Sequence, residues 1–330
     1  MSHGALLVTG GAGYIGSHVV LQLRERGERV VVVDNLSRGF PQAVRDVQLI
    51  RADVGDREQM AAVLRSHGVD TVLHFAAHTI VPESVRDPLK YYGNNTCATR
   101  NLLQCCAEAG VRHFVFSSTA AVYGTPAEGF AAETSPTTPI NPYGTSKLMS
   151  EWMLRDTAAA TGMRYVALRY FNVAGSDRGG RIGQSTREAT LLIKVACEVV
   201  VGKRPHLSIF GTDYPTPDGT GVRDYIHVED LAAAHLDALE YLRGGGASSV
   251  LNCGYGHGYS VREVLASVTR VAGKSLTVRE EPRREGDPAV LVARAERIRE
   301  LLGWQPRLDD LDSIVSSALK WEQRQLLDPW

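Results

Sequence analysis

Lysine is scarce in this 330-residue chain: six residues, against thirty arginines. A lysine at a defined spacing is therefore worth following. Cysteine is sparse as well. The five thiols, Cys97, Cys105, Cys106, Cys197 and Cys253, are odd in number and form no Cys-x-x-Cys. That argues against a disulfide framework and for reduced thiols in a cytoplasmic protein, most of them small core residues. A surplus of charge is missing too, with a net charge of −1 and an isoelectric point of about 6.8. No global field steers such a chain to nucleic acid or an anionic membrane, and neither is expected as a partner. The first residues lack the basic stretch of a secretory signal, and their apolar run breaks at glycine. No apolar run reaches bilayer length. Internal repeats and low-complexity tracts are absent, and no metal is expected.

What is present suits a globular fold: 44% hydrophobic and 22% charged residues, and length for one large or two modest domains. Short β-branched runs alternate with helical patterns through the first half. "ALLVTG" precedes a helix near 14–26, and "RVVVVD" ends at Asp34. "DTVLHFAA" leads through a long loop to a helix near 90–109; "RHFVFSS", a helix over 142–161 and "MRYVALRYFN" follow. Continuous apolar strands between helices predict an α/β fold, a doubly wound parallel (Rossmann-like) sheet with ligands at its carboxyl edge. After Asn172 the sequence becomes rich in glycine and turns. A smaller C-terminal α/β domain is expected over 173–330, beside a dinucleotide domain over 1–172. The segment near 224–250 is expected to pack back on the first domain.

"VTGGAGYIG" sets Gly10, Gly13 and Gly16 between a strand and a helix, with Gly11-x-Gly13-x-x-Gly16 overlapping. Glycines permit the tight turn and close approach of a pyrophosphate, whose charge the helix N-terminus favours. Asp34 ends the next strand about 20 residues on, where a carboxylate accepts from ribose hydroxyls. It would repel a 2′-phosphate, which favours NAD over NADP, although Arg38 lies nearby.

"NPYGTSK" holds one of the six lysines. Tyr-x-x-x-Lys alone arises by chance in roughly one such chain in five, so its surroundings decide its meaning. Asn141 is a good N-cap and Pro142 suits the first helical position. Tyr143 then lies in the first turn with Lys147 one turn later on the same face. A free tyrosine titrates near 10, so a base working near neutrality needs that value lowered by about 3, about 4 kcal/mol. The helix terminus, the Lys147 ammonium and an oxidised nicotinamide would jointly favour the phenolate. "FSSTAAVYG" supplies a third group, with Ser117 and Thr119 pointing the same way from the end of a strand.

In this order, "TGGAGYIGSH", "FSSTAAVYG", "PYGTSK", "RYFNVAG", "GTGVRDYIHVEDLA" and "REGDPA" resemble the UDP-glucose 4-epimerase (UDP-galactose 4-epimerase) family. That family belongs to the extended short-chain dehydrogenases/reductases. The resemblance covers essentially the whole chain. It implies tightly bound NAD, a UDP-sugar substrate, and a homodimer formed through helices like 90–109 and 142–161. It implies Tyr143 as base, Thr119 as its hydroxyl partner, and Lys147 as the tuning residue that also holds the nicotinamide ribose. For the cofactor it implies Gly10, Gly13, Tyr14, Ile15, Gly16, Asp34, Asn35, Asp53, Val54, Phe75, Ala76, Ala77, Asn94, Ser117 and Tyr170. For the substrate it implies Arg223 and Arg284 on the diphosphate, Asp287 on the uridine ribose and Phe210 by the uracil. Asn172 would line the junction of sugar and nicotinamide.

Three positions depart from the family pattern: Thr79 lacks a lysine's charge, Leu191 lacks a polar side chain, and Leu291 takes the place of a variable sugar-pocket gate. A 4,6-dehydratase would carry an Asp-Glu pair after the threonine, and here Ala120 and Ala121 follow. A silent NAD-binding scaffold would be expected to have lost the tyrosine or lysine. Inversion at carbon 4 of UDP-glucose and UDP-galactose is the reaction implied, with N-acetylhexosamine or pentose forms as alternatives.

Overall fold

The β-branched runs of the first half form parallel strands in the computed structural model, which describes residues 4–284 and 287–330. They are β1 (Ala5–Thr9), β2 (Val30–Asp34), β3 (Gln48–Arg51), β4 (Val69–His74) and β5 (His113–Ser117). Between them run α1 (Tyr14–Glu25), α2 (Arg57–His67), α3 (Val81–Arg86), α4 (Pro88–Tyr91) and α5 (Ala98–Ala109). A short β6 (Phe130–Ala131), α6 (Pro142–Thr161) and β7 (Arg164–Tyr170) complete this half. Every residue of β1 and β5 is buried, as a sheet covered on both faces requires. Alternate residues feed two separate cores: Leu6, Val8 and Val32 on one face, Ala5, Leu7 and Val33 on the other.

The second half contains β8 (Asn172–Ala174), α7 (Leu192–Val200), β9 (Leu207–Phe210), β10 (Val222–Arg223), β11 (Tyr225–His227) and α8 (Val228–Arg243). Next come β12 (Ser249–Cys253), β13 (Tyr259–Ser260), α9 (Val261–Ala272), β14 (Val278–Glu281), β15 (Val290–Ala293), α10 (Glu296–Leu302) and α11 (Leu311–Leu327). The large sheet has the order β12-β7-β5-β4-β1-β2-β3. All its strands are parallel, and the order in which they are added reverses between β1 and β4, so a crevice opens there at the carboxyl edge. A smaller sheet runs β13-β10-β15-β6. The two halves thus exchange strands: β6 joins the small sheet and β12 extends the large one, with α8 packed against α1, β5 and β7.

One expected element is broken. The helix over 90–109 consists of α4, a π-helical turn at Tyr92–Cys97, and α5. The wide turn carries Asn95, which holds the backbone of His78 through both amide atoms, at 2.8 and 3.0 Å. It also donates to Ser146 Oγ at 3.0 Å. Such bulges are frequent where a helix serves a site. Among the described residues, no helix is long and apolar enough to cross a membrane.

Candidate active site

The crevice begins where β1 ends. Gly10 turns at φ +68°, and a Cβ there would lie 2.5 Å from the Ala76 amide nitrogen; one on Gly16 would lie 2.3 Å from the Gly10 carbonyl oxygen. Only glycine permits this approach. Gly13 precedes α1, and Tyr14 and Ile15 open it with N–H groups that have no acceptor within the helix. The bare glycine backbone and these amides fit the diphosphate of a dinucleotide. At the end of β2, Asp34 accepts from the amides of Ala12 (3.0 Å) and Leu36 (2.8 Å). Burial pushes its carboxyl above the usual range while the two amides pull it down. Leu36 sits at φ +61°, a left-handed conformation that costs a branched residue energy. Beyond it, Asn35 donates to Asp53 at 3.0 Å, beside buried Val54.

Phe75, Ala76 and Ala77 form the opposite wall, joined to β1 by the Phe75 amide on the Thr9 carbonyl (2.9 Å). Asn94 donates to Asn95 Oδ1 at 3.0 Å. The glycine turn, the Asp34 loop and the Phe75–Ala77 segment therefore meet where β1, β2 and β4 end. Thr79 is exposed beyond this wall.

The start of α6 lies over the end of β5. Asn141 Oδ1 accepts from the Gly144 amide at 2.9 Å and Pro142 occupies the first turn, as the sequence predicts. A Cβ on Gly144 would come within 2.5 Å of the Ala121 carbonyl oxygen, so the helix start presses on the segment after Thr119. Tyr143 and Lys147 are both buried. Lys147 Nζ donates to the Ser117 carbonyl at 2.9 Å and stands 4.9 Å from the Phe116 ring centre. The Ser117 and Tyr170 hydroxyls share a 2.5 Å hydrogen bond. Burial pulls the Lys147 ammonium down to about 7, with Glu151 acting the other way. Burial also raises the Tyr143 phenol, and a hydrogen bond with Thr119 opposes it. A phenol, a hydroxyl and an ammonium thus share one dry place at the sheet edge. That is equipment for moving a proton to and from a carbinol.

The residues read as nucleotide-binding form a second group. The Arg284 guanidinium lies 3.6 Å from the Phe210 ring centre. Arg223 Nη2 stands 3.3 Å from Asp287, and the strand register sets Arg223 beside Leu291. Leu291 is buried in the core, and Asn172 donates its amide to the Asp224 carbonyl at 2.9 Å. Leu191 caps the start of α7 and is partly exposed. Glu285 and Gly286 of the "REGD" motif lie outside the described residues.

Sequence reading missed a buried network behind the proton-handling group. Glu151, one turn past Lys147, takes two hydrogen bonds from Arg169, from Nε at 2.9 Å and Nη2 at 2.5 Å. Ser118 Oγ donates to the same carboxylate at 2.5 Å. Arg169 also donates to the Tyr123 hydroxyl at 3.0 Å, which reaches Asn252 of β12 at 2.6 Å. The available signal was Arg169 itself, a charge that follows the apolar run Val166–Leu168 within β7.

A glycine-rich turn where the strand order reverses, an acid on the next strand and a Tyr-x-x-x-Lys helix define a nicotinamide-dependent enzyme of the doubly wound class. A family model described as NAD dependent epimerase/dehydratase family matches residues 6–254, and the chain belongs to that family. It is 57% identical over 319 residues to the UDP-glucose 4-epimerase of Azospirillum brasilense, covering 96% of this chain and 92% of the relative. The crystal structure of UDP-glucose 4-epimerase from Brucella ovis in complex with NAD superposes with a TM-score of 0.93. It is 43% identical and covers 96% of this chain and 97% of that one. The UDP-Glc/GlcNAc 4-epimerase of Campylobacter jejuni is 48% identical with a TM-score of 0.85, covering 97% and 99%.

Proposed function

We propose that the protein is an isomerase, an NAD-dependent UDP-sugar 4-epimerase that interconverts UDP-glucose and UDP-galactose. The observation that carries this is the buried placement of Tyr143 and Lys147, with Thr119 alongside, at the edge of a sheet whose crevice fits a dinucleotide. The glycine loop, Asp34, Asn35, Asp53, the Phe75–Ala77 wall, Asn94, Ser117 and Tyr170 would hold the cofactor. Bound in its oxidised form, NAD supplies a hydride acceptor at carbon 4 of the sugar, the later hydride donor, and a positive charge near the phenol.

Tyr143 takes the proton of the 4-hydroxyl and returns it after the keto sugar has turned over. Thr119 bridges phenol and sugar hydroxyl. Burial alone holds the phenol above its ordinary value. The phenolate therefore depends on cationic neighbours, of which Lys147 is the protein's own. Arg223 and Arg284 suit the diphosphate because guanidinium forks match phosphate oxygens. With Asp287 on the uridine ribose and Phe210 by the uracil, the nucleotide stays anchored while the sugar is free to turn. Binding energy then comes from the part that does not react.

We place the homodimer contact on the faces of α5 and α6, where Trp152 is 48% exposed. The free thiols suit a cytoplasmic location. The test is incubation of purified protein with UDP-galactose, UDP-N-acetylglucosamine and UDP-xylose, without added NAD, and chromatography of the products. Rapid formation of UDP-glucose from UDP-galactose is expected. A requirement for fresh NAD in proportion to product would make the protein a dehydrogenase instead.

A further inference from the structure

Two residues that the proposed reaction does not use face each other across the cofactor crevice. Arg38 belongs to the loop after β2, and Glu83 to α3 in the loop after β4. In the sheet, β1 lies between β2 and β4. A contact from one of these loops to the other therefore spans the carboxyl end of β1, where the glycine turn departs. Arg38 Nη2 and Glu83 Oε1 stand 3.7 Å apart.

The two halves of this contact are held differently. Glu83 has other partners: Lys90 Nζ at 2.6 Å and the Tyr91 hydroxyl at 2.8 Å. Tyr91 in turn accepts from the Ile80 amide at 2.9 Å and packs its ring edge-on against Tyr143, centres 6.5 Å apart. The carboxylate is thus a fixed post. The root of Arg38 is fixed as well. The Ser37 amide donates to Asn35 Oδ1 at 3.0 Å, and the Phe40 amide donates to the Ala12 carbonyl at 2.9 Å. With Leu36 in its left-handed turn, the loop folds back onto the glycine turn. The Arg38 side chain is the movable part. Among the described residues its guanidinium has one long ionic contact, and it is 36% exposed.

We propose that Arg38 and Glu83 form a strap over the cofactor crevice that slows release of the bound dinucleotide. The proposal rests on the dinucleotide occupying that crevice. An enzyme that returns its hydride within each cycle gains nothing from exchanging its cofactor, so slow release suits the reaction. A guanidinium over the opening closes it sterically and meets an anionic ligand with the matching charge. Because the pair is partly exposed, its effect on release is modest and sensitive to salt.

The experiment loads purified holoenzyme with radiolabelled NAD, chases with excess unlabelled NAD, and follows retained label on desalting columns. Parent, Arg38→Gln, Glu83→Gln and the double variant are compared at 0.05 and 0.5 M NaCl. Each single variant is expected to release label roughly three- to tenfold faster at low salt, and the double no faster than either single. Parent release should quicken with salt, and variant release should respond less. Salt dependence in the parent reads the strap without any substitution, so poor folding of a variant does not remove the test. Release within twofold of parent in both single variants, or multiplicative effects in the double, overturns the strap. Denatured parent that yields no NAD at zero time overturns the cofactor assignment, and the strap with it.

Discussion

His235 offers a sharp test of how burial controls charge beside Phe75 at the end of β4. Its ring is fully buried on α8, centred 4.8 Å from the Phe75 ring and 6.3 Å from Tyr170. Nδ1 lies 2.8 Å from the Leu231 carbonyl, and Nε2 has no hydrogen-bond partner among the described residues. Burial lowers its titration to about 4, the Leu231 carbonyl acting slightly the other way. The unfolded chain titrates near 6.5, so below that value it binds a proton that the folded protein refuses. Stability from this residue is complete above pH 6.5 and is lost as pH falls toward 4. Between pH 8 and pH 5 the linkage amounts to about 2 kcal/mol.

His235→Leu removes the titration at nearly constant volume. It gives up one hydrogen bond, about 1 kcal/mol, and relieves an unpartnered buried nitrogen of similar cost. The variant should therefore match the parent within about 1 kcal/mol at pH 8. At pH 5 it should have gained about 2 kcal/mol relative to that difference. Urea unfolding followed by circular dichroism at pH 8, 6.5 and 5 measures both. A difference between variant and parent that stays constant across the three pH values would refute the assignment of a neutral, proton-refusing His235.

Tyr143→Phe keeps the ring packed and removes the proposed proton acceptor, so turnover should fall by roughly 10²-fold or more. UDP affinity measured by calorimetry should hardly move, and retention of half the parent rate would assign the base elsewhere. Arg169→Met strands the buried Glu151 carboxylate and should cost roughly 3–5 kcal/mol in chemical unfolding. The double variant Arg169→Met/Glu151→Leu should recover most of that loss; a double variant worse than both singles would disprove the buried pair as the reason. Leu291→Tyr adds bulk beside Arg223 at the expected sugar wall. Catalytic efficiency on UDP-N-acetylglucosamine should fall relative to UDP-glucose, and an unchanged ratio would place the size limit on another wall.

What the sequence disclosed was local. Asn141, Pro142 and Tyr143 announce the start of α6 because capping depends on residues three or four apart. The glycine turn and Asp34 are legible for the same reason, since strand, turn and helix follow one another directly. The π turn at Tyr92–Cys97 was not legible, because Asn95 answers to His78 and Ser146, which lie 17 and 51 residues away. Leu36 at positive φ was hidden too: nothing in its side chain favours that conformation, which the Asp34 carboxylate stabilises. The stacking of Arg284 on Phe210 joins segments that the parallel pairing of β9 with β14 brings together.

The strand exchange between the two sheets sets a timetable for synthesis. When β7 leaves the ribosome, its outer edge has no neighbour; the strand that covers it, β12, follows roughly 80 residues later. At roughly 5–20 residues per second, that edge stays open for roughly 4–16 s. Until β12 docks, an apolar strand with unpaired amides is exposed to every other nascent chain nearby. β6 waits longer still, because β15 lies close to the end of the chain. Both sheets are therefore completed late, and a ribosome that stalls between residues 170 and 249 leaves a product with a free edge suited to aggregation rather than a smaller folded domain.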